Sequence, residues 1–342
     1  MAVGLAGCGT AAVPHPTPPP AAGPTPPPPN PQGRRDPLTG QVAPRHGPLV
    51  AVMIENSEYG RPQYGLGAAD VVYEAYTENF YYSRFMALYY GRAPAVVGPV
   101  RSARPYFVDW VRAWNAAYAH AGGSSPANAQ IVAQGIHDMD AITRDPGLYW
   151  RSASRAAPHN LFTDVARLMQ AAATTWGNPP VSAPWSFAAD NGPGTPPYTR
   201  ITMTWNARNT VEQWRWNAAG QDWVRYVACP DCRDPALLPV MDPGSNRPVT
   251  AANVVIQYTN ESLDLADANV NDRWIQVQTD GQGRCLLFLG HRFARGTWVS
   301  DGSGQPTRFY LDNGQPAAFA PGPTWIEVVP QHFALTLGSN GA

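Results

Sequence analysis

The pattern of apolar and polar residues divides the chain into two unlike halves. In the first half, residues 49–54 form an unbroken apolar run that predicts a strand buried on both faces. Residues 71–78 and 83–90 alternate on either side of four turn residues, which predicts a hairpin. Apolar residues at helical spacing predict three helices between these strands and residue 177. The predicted helices cover 105–115, 126–133 and 164–176, with N-caps at Ser125 and Thr163.

The register of the predicted hairpin decides which side chains share a face. If Glu78 pairs with Ser83, residues directly opposite one another lie on the same face. One face is then apolar and suits the core, and it holds Val71, Tyr73, Ala75, Met86, Leu88 and Tyr90. The other face carries Glu74, Tyr76, Glu78, Ser83, Phe85 and Ala87. Two carboxylates among aromatic rings are typical of a cleft lining.

From residue 198 onward, short alternating runs separated by turn residues dominate the sequence. This pattern predicts an all-β domain, either a sandwich or a barrel. The runs are 200–205, 211–216, 223–227, 253–258, 274–279, 285–289, 297–300, 308–311 and 325–329. The predicted fold class is therefore α+β, with a mixed α/β domain at 47–195 followed by the all-β domain at 196–336.

The first residues indicate a lipid anchor. Leu-Ala-Gly-Cys at residues 5–8 matches a bacterial lipobox, in which Cys8 is lipidated, although the basic and apolar segments of a full signal peptide are shortened. We therefore interpret residues 1–8 as a truncated lipoprotein signal. Residues 9–46 are a proline-rich tether, extended and unable to bury a core. We expect an extracytoplasmic protein anchored to the bacterial membrane; the alternative is an accidental match ahead of a disordered cytoplasmic tail.

Composition narrows the chemistry further. All 24 basic residues other than histidine are arginine, which excludes Schiff-base chemistry, a lysine base and a P-loop lysine. The net charge is −1 and the arginines are scattered, so we expect no nucleic-acid partner. The histidines show no metal-ligand spacing, and we expect no metal and no cofactor. Cys229 and Cys232 form a C-x-x-C that suits a local disulfide, with half a zinc site or a redox pair as alternatives.

Residues 98–107, Gly-Pro-Val-Arg-Ser-Ala-Arg-Pro-Tyr-Phe, are the strongest candidate binding segment. Arg101 and Arg104 flank the start of a predicted helix that opens with Pro105, with Ser102 between them. Backbone N–H groups and guanidinium groups at a helix start favour an anion. The alternative is that both arginines are structural and pair with nearby carboxylates.

Other polar residues complete the candidate site. Glu74, Glu78 and Glu55 are the candidate catalytic carboxylates, since glycoside cleavage needs a pair of them. Four further side chains are candidate ligand-binding groups: Tyr76, His120, His159 and Asn160. His120 at a strand end is equally explained as a packed core residue. A hydrolase that uses a histidine base with Ser102 or Ser124 is a third interpretation, although no nucleophile elbow is present.

Several long motifs resemble the YerB family of bacterial lipoproteins. They are Ala-Val-Met-Ile-Glu-Asn at 51–56, Arg-Pro-Gln at 61–63, Ala-Asp-Val-Val-Tyr-Glu at 69–74, Ser-Arg-Phe-Met-Ala-Leu at 83–88, Gly-Pro-Val-Arg-Ser-Ala-Arg-Pro at 98–105, Pro-His-Asn at 158–160, Asn-Val-Val-Ile-Gln-Tyr at 253–258 and Gly-Pro-Thr-Trp-Ile-Glu-Val-Val-Pro at 322–330. The resemblance implies a lipid-anchored extracytoplasmic protein of two domains, and it supplies no known reaction.

Arginines, carboxylates and aromatic rings in one predicted cleft, on an envelope-facing protein, suggest a ligand. We expect the protein to bind or process a cell-envelope glycan such as peptidoglycan. Guanidinium groups bind the carboxylates of such polymers through two parallel hydrogen bonds. The alternative is a non-catalytic lipoprotein that binds a protein partner or a small anionic ligand.

Overall fold

Three α-helices form where the apolar spacing predicts them. The computed structural model describes residues 35–42, 47–181, 184–188, 194–205, 210–228, 236–264 and 273–339. The helices are α1 (Pro105–Trp114), α2 (Ser125–Ala133) and α3 (Val165–Trp176). The N-caps of α2 and α3 lie one residue from the predicted positions. Ser124 Oγ and Asp164 Oδ1 accept hydrogen bonds from the N–H groups of Ala127 and Arg167, because these side chains reach the third residue beyond them.

Strands make up most of the remaining described structure. Those up to residue 187 are β1 (Val50–Glu55), β2 (Val71–Tyr76), β3 (Ser83–Tyr89), β4 (Ala117–His120), β5 (Asp138–Asp140), β6 (Tyr149–Arg151), β7 (Leu161–Thr163) and β8 (Ser186–Phe187). The later ones are β9 (Arg200–Trp205), β10 (Thr210–Asn217), β11 (Asp222–Ala228), β12 (Leu238–Pro239), β13 (Met241–Asp242), β14 (Arg247–Pro248), β15 (Thr250–Ala251), β16 (Asn253–Thr259), β17 (Glu261–Leu263), β18 (Ile275–Val277), β19 (Gly281–Leu289), β20 (Arg292–Ser300), β21 (Arg308–Leu311), β22 (Ala318–Phe319), β23 (Thr324–Pro330) and β24 (Leu335–Gly338). Every run predicted in the second half corresponds to a strand.

A ten-stranded mixed sheet joins strands from both halves of the chain. Its order is β21-β20-β19-β16-β23-β2-β3-β1-β4-β5, and β23 is parallel to both β16 and β2. A six-stranded sheet has the order β12-β11-β10-β9-β24, with β15 paired to β11. The α+β class, a mixed α/β region followed by a largely β region, is confirmed. No sheet among the described strands closes into a barrel. Residues 34–342 form one compact unit, and the division near residue 195 stays a prediction.

The ten-stranded sheet is covered on both faces, as the unbroken apolar run of β1 predicts. Val52 and Ile54 point to one face, where they meet α3 and the six-stranded sheet. Ala51 and Met53 point to the other face, where they meet α1. Each large apolar side chain buried in these two layers contributes about 1.5–3 kcal/mol relative to exposure. The two layers hold β1 rigidly and fix where its carboxyl end emerges.

The β2–β3 hairpin is present, with a register two residues from the predicted one. Tyr76 pairs with Ser83, so the apolar face from Val71 to Leu88 stays as predicted because an even shift keeps every side chain on its face. The placement of Glu78 on the face of Glu74 is wrong. β2 ends at Tyr76, and residues 78–80 form a 3₁₀ turn that directs the Glu78 carboxylate toward Arg84.

Candidate functional site

A pocket of about 440 Å³ opens where β1 and β2 end and β3 begins. Pockets of this volume are typical of small-molecule sites. Its walls come from the residues after β1, the 78–82 turn, and the 101–104 loop. The pocket brings together six of the predicted site residues: Glu55, Glu78, Arg101, Ser102, Arg104 and His159.

The loop that carries the arginines is held by backbone hydrogen bonds on both sides. The N–H of Arg101 donates to Met53 O at 3.0 Å, and its carbonyl accepts from Ala121 N at 3.0 Å. Gly98 adopts φ +146°, and a Cβ there would lie 2.7 Å from Leu161 O, so only glycine fits this close approach. α1 then begins with Pro105 directly after Arg104. The backbone therefore fixes the point from which each guanidinium extends.

Arg104 and Arg84 share one carboxylate, that of Glu78. Arg84 Nη2 lies 3.0 Å from Glu78 Oε1, and Arg104 Nη2 is ion-paired with the same oxygen. Arg84 Nη1 also donates to Ser102 O at 2.9 Å. The predicted alternative, a structural pairing of the arginine loop with a carboxylate, is thus what Arg104 shows.

Arg101 has a different environment, although it is only three residues away. Its Nη2 lies 3.4 Å from Glu55 Oε1, and its side chain is 23% exposed toward the pocket. Its buried Nε has no hydrogen-bond partner among the described residues. Burial lowers the pKa of Arg101, and the nearby Glu55 charge opposes this shift. Arg101 is therefore more exposed to the pocket and less tightly paired than Arg104.

Glu55 contacts three other side chains of the pocket and its surroundings. Its Oε1 accepts hydrogen bonds from Ser57 Oγ at 2.6 Å and from His159 Nδ1 at 2.7 Å, in addition to the contact with Arg101. The ring of Tyr59 lies against that of His159, with centroids 5.2 Å apart. Glu55 thereby fixes the orientation of both His159 and Arg101.

The lining carries more positive than negative fixed charge. Three guanidinium groups, those of Arg84, Arg101 and Arg104, face two carboxylates, those of Glu55 and Glu78, which leaves one positive charge in excess. Attraction at such a partly dehydrated site is stronger than in bulk water. The pocket is therefore electrostatically suited to a monoanion.

Glu74 lies beneath the pocket rather than in its wall. It is fully buried, and its oxygens accept from Asn56 Nδ2 at 2.8 Å, Ser83 Oγ at 2.5 Å and Arg225 Nη2 at 2.7 Å. Asn56 and Ser83 themselves line the pocket, so they join its floor to the buried carboxylate. Burial raises the pKa of Glu74 to about 7, with the charge of Glu212 adding to the shift.

Three buried carboxylates converge around Arg225. Arg225 Nη2 lies 2.7 Å from Glu74 Oε2 and 2.6 Å from Glu212 Oε1, and Glu327 Oε1 accepts from Trp214 Nε1 at 2.8 Å. Oxygens of the three carboxylates come within 4.8 Å of one another, a spacing that a metal ion accepts. The Arg225 guanidinium already contacts two of the carboxylates and supplies the positive charge that a metal ion would otherwise supply. Burial and the neighbouring carboxylates raise the pKa of Glu327 well above its ordinary value.

Three predicted binding residues lie away from the pocket lining. Tyr76 is buried, with its ring 4.7 Å from that of Trp205. His120 is buried, as its packed-core alternative expects, and contacts Asp138 Oδ1 and Gly122 O, each at 2.8 Å. Asn160 Oδ1 accepts from Arg151 Nη1 at 2.8 Å. Cys8, Cys229 and Cys232 lie outside the described residues, and Cys285 is a free, buried thiol.

Eight residues of the pocket lining were not among the predicted site residues, and they include Arg84, Tyr59 and Tyr81. Arg84 sits within an otherwise apolar strand, which is itself a signal that its charge meets a partner. Tyr59 and Tyr81 occupy turn-rich segments, where a large ring lacks a predicted core to enter. That placement was the available signal for a binding surface.

Comparisons with known proteins agree with this architecture. Residues 38–178 match the N-terminal domain, and residues 201–326 the C-terminal domain, of the family described as "Protein of unknown function (DUF3048)". The chain is 28% identical over 295 residues to a Bacillus subtilis (strain 168) protein named "Putative lipoprotein YerB", a match that covers 85% of this chain and 84% of that protein.

The fold is also similar to a solved structure. The crystal structure of YerB from Bacillus subtilis superposes with a TM-score of 0.76 at 25% identity, over 90% of this chain and 100% of that one. Within the described residues, no helix is long and apolar enough to cross a membrane. From both matched domains and the shared fold, the chain belongs to the DUF3048 family of YerB-like proteins.

Proposed function

We propose that this protein is an extracytoplasmic lipoprotein, anchored through Cys8, whose pocket binds a carboxylate of a cell-envelope glycan such as peptidoglycan. The lipobox and the proline-rich tether support the anchored, outward-facing location. The name of the Bacillus relative as a lipoprotein agrees with it. Glycan chains and their peptide stems lie outside the membrane and carry carboxylates.

The observation that carries the proposal is the unequal use of the two predicted arginines. Arg104 is ion-paired with Glu78 and its side chain is only 10% exposed, whereas Arg101 lies 3.4 Å from Glu55 and its side chain is 23% exposed in the pocket lining. A guanidinium has five N–H donors, so the exposed part of Arg101 can bind a ligand carboxylate while the contact with Glu55 remains.

Binding is favoured over processing because the candidate catalytic carboxylates are already engaged. Glu78 is paired with two arginines, Glu55 accepts two hydrogen bonds and is ion-paired with Arg101, and Glu74 is fully buried below the pocket floor. Retaining glycosidases place two available carboxyl groups about 5 Å apart on the substrate bond. The carboxylates of this pocket instead position cations.

The experiment is a co-sedimentation of the full 342-residue chain with isolated peptidoglycan sacculi. The test variant is Arg101→Gln, and the matched control is Arg308→Gln, because Arg308 is an exposed arginine paired with Asp301 outside the pocket lining. We expect the wild type and the control to pellet equally and Arg101→Gln to stay in solution. Equal pelleting of all three would overturn the role of the pocket.

Two further titrations distinguish the kinds of monoanion that a pocket with one excess positive charge could bind. Calorimetric titration with lactate reports a small carboxylate, and titration with a glycerol phosphodiester reports the other common envelope monoanion. Tight binding of lactate without retention on sacculi supports the small-anion alternative. Binding of the phosphodiester alone contradicts the glycan proposal.

A further inference from the structure

The mouth of the pocket carries two exposed tyrosines. Tyr59 is 59% exposed and Tyr81 is 46% exposed, and they are the exposed tyrosines of the described chain. Both line the same pocket. Tyrosine is usually half-buried, since its ring is apolar and its hydroxyl is polar. Two such rings exposed in one pocket, whose lining also holds three guanidinium groups, favour a ligand with an apolar face.

The ring of Tyr59 has an aromatic neighbour, and the backbone that leads to Tyr81 is constrained. Tyr59 belongs to the 3₁₀ turn Glu58–Gly60 and packs its ring on that of His159, which Glu55 in turn orients. Tyr81 follows Asn79 and Phe80, which adopt φ values of 52° and 57°. A left-handed phenylalanine costs about 1–3 kcal/mol and persists only where its surroundings impose it. The ring of Phe80 packs on Tyr76, and Asn79 N donates to Arg273 O at 3.0 Å.

We propose that the pocket recognises a sugar ring that bears a carboxylate, with Tyr59 and Tyr81 receiving the apolar face of the ring and Arg101 receiving the acid. This inference rests on the proposed function, and it names the ligand class within it. A pyranose presents C–H groups on one face and hydroxyls at its edge, which matches flat rings next to polar side chains. The single excess charge matches one carboxylate rather than a phosphomonoester dianion.

The pocket size agrees with this ligand. A volume of about 440 Å³ is within the range that accepts a drug-sized molecule, comparable with a substituted monosaccharide. A peptide stem carries its carboxylate on a flexible chain without a rigid apolar face. The two tyrosines therefore favour the acidic sugar over the stem as the bound unit.

The test is a set of calorimetric titrations with three probes: N-acetylmuramic acid, N-acetylglucosamine and lactate. The first probe has both ring and acid, the second has the ring alone, and the third has the acid alone. We expect N-acetylmuramic acid to bind at least about tenfold more tightly than either partial probe, since each aromatic contact contributes about 0.5–1.5 kcal/mol.

Substitutions then assign the contacts. Tyr59→Leu and Tyr81→Leu should each weaken N-acetylmuramic acid binding about three- to tenfold and leave lactate binding unchanged. Trp150→Leu is the control, because Trp150 is an exposed aromatic residue outside the pocket lining. Thermal unfolding of each variant confirms that the fold is intact.

The failure modes are distinct. If lactate binds as tightly as N-acetylmuramic acid and the tyrosine variants are unchanged, the sugar inference is wrong while the carboxylate proposal stands. If N-acetylglucosamine binds as tightly as the acid, the assignment of Arg101 is wrong. If no probe binds, the sugar inference is wrong, and the sedimentation of Arg101→Gln with sacculi then decides whether the proposed function stands.

Discussion

Glu55 and His159, 104 positions apart in the sequence, are joined by a hydrogen bond of 2.7 Å in the wall of the pocket. Glu55 comes from the end of β1, and His159 comes from the segment before β7. Because Arg101 lies against the same carboxylate oxygen, one acid sets the geometry of a cation and an imidazole together. The consequences can be tested residue by residue.

The two arginines of the loop should differ in their effect on stability. Arg104→Gln leaves Glu78 with one partner fewer in a largely buried pair, so we expect a loss of about 1–3 kcal/mol in the free energy of unfolding. Arg101→Gln removes a longer and more exposed contact, so its cost should be below about 1 kcal/mol. Urea denaturation measures both values. Equal losses for the two variants would show that Arg101 is structural.

Removal of the Glu55 charge should tighten anion binding. Glu55→Gln keeps the shape and an oxygen for the Ser57 and His159 hydrogen bonds, and it leaves the pocket with a larger excess of positive charge. We expect the affinity for N-acetylmuramic acid to rise about threefold to tenfold, measured by calorimetry at low salt. A weaker affinity would mean that Glu55 contacts the ligand directly.

Stability should fall as the pH rises through the range set by Glu74. Burial raises the pKa of Glu74 from 4.5 to about 7, so the folded state keeps its proton while the unfolded state loses it. The stabilisation from this group is complete below about pH 4.5 and declines until about pH 7. Urea denaturation at a series of pH values should show this decline in the wild type.

Glu74→Gln should flatten that profile, because glutamine cannot titrate. Glu327→Gln is the companion variant, since Glu327 also has a raised pKa and should flatten the same region. Glu58→Gln, a change at a partly exposed turn residue, serves as the control. An unchanged slope in both buried variants would place the titrating proton elsewhere.

The buried guanidinium below the pocket should be essential to the fold. Arg225→Met leaves Glu74 and Glu212 without their cation in a site that is 0–1% exposed, so we expect a loss of about 3–5 kcal/mol. Chemical denaturation measures it, with Arg308→Met as the surface control. If Arg225→Met with Glu212→Gln regains part of the loss, the uncompensated charge is the cause; no recovery would indicate lost packing instead.

Much of the fold could be predicted from the sequence because local patterns dictate it. The apolar run of β1 predicted cover on both faces, and the helical spacing within 105–115 predicted a helix with one apolar face, which α1 buries at Phe107, Trp110 and Val111. The turn after β2 was harder to predict, because Asn79 and Phe80 adopt positive φ values that usually require glycine, and the sequence has no glycine there. That turn reversed the direction of Glu78 and changed its role.

The candidate site could be predicted only in part, because the sequence shows which residues are charged but not which distant residues the fold brings next to them. Arg101, Arg104 and Glu55 could be predicted as site residues because they are charges next to the ends of elements, where binding residues concentrate. Glu327 is the one acidic residue of the buried strand β23. A buried carboxylate needs a polar partner, but the sequence does not show which residue that is. Its neighbours Glu212 and Arg225 come from β10 and β11, and only the long-range sheet topology brings them together.

A crystal structure of the protein with N-acetylmuramic acid bound would show directly whether Arg101 holds the carboxylate of the ligand. We expect the ligand carboxylate to lie within hydrogen-bond distance of the exposed part of the Arg101 guanidinium, while Glu78 remains paired with Arg84 and Arg104. A ligand bound elsewhere, or a carboxylate that displaces Glu78 from Arg104 and leaves Arg101 unused, would contradict it.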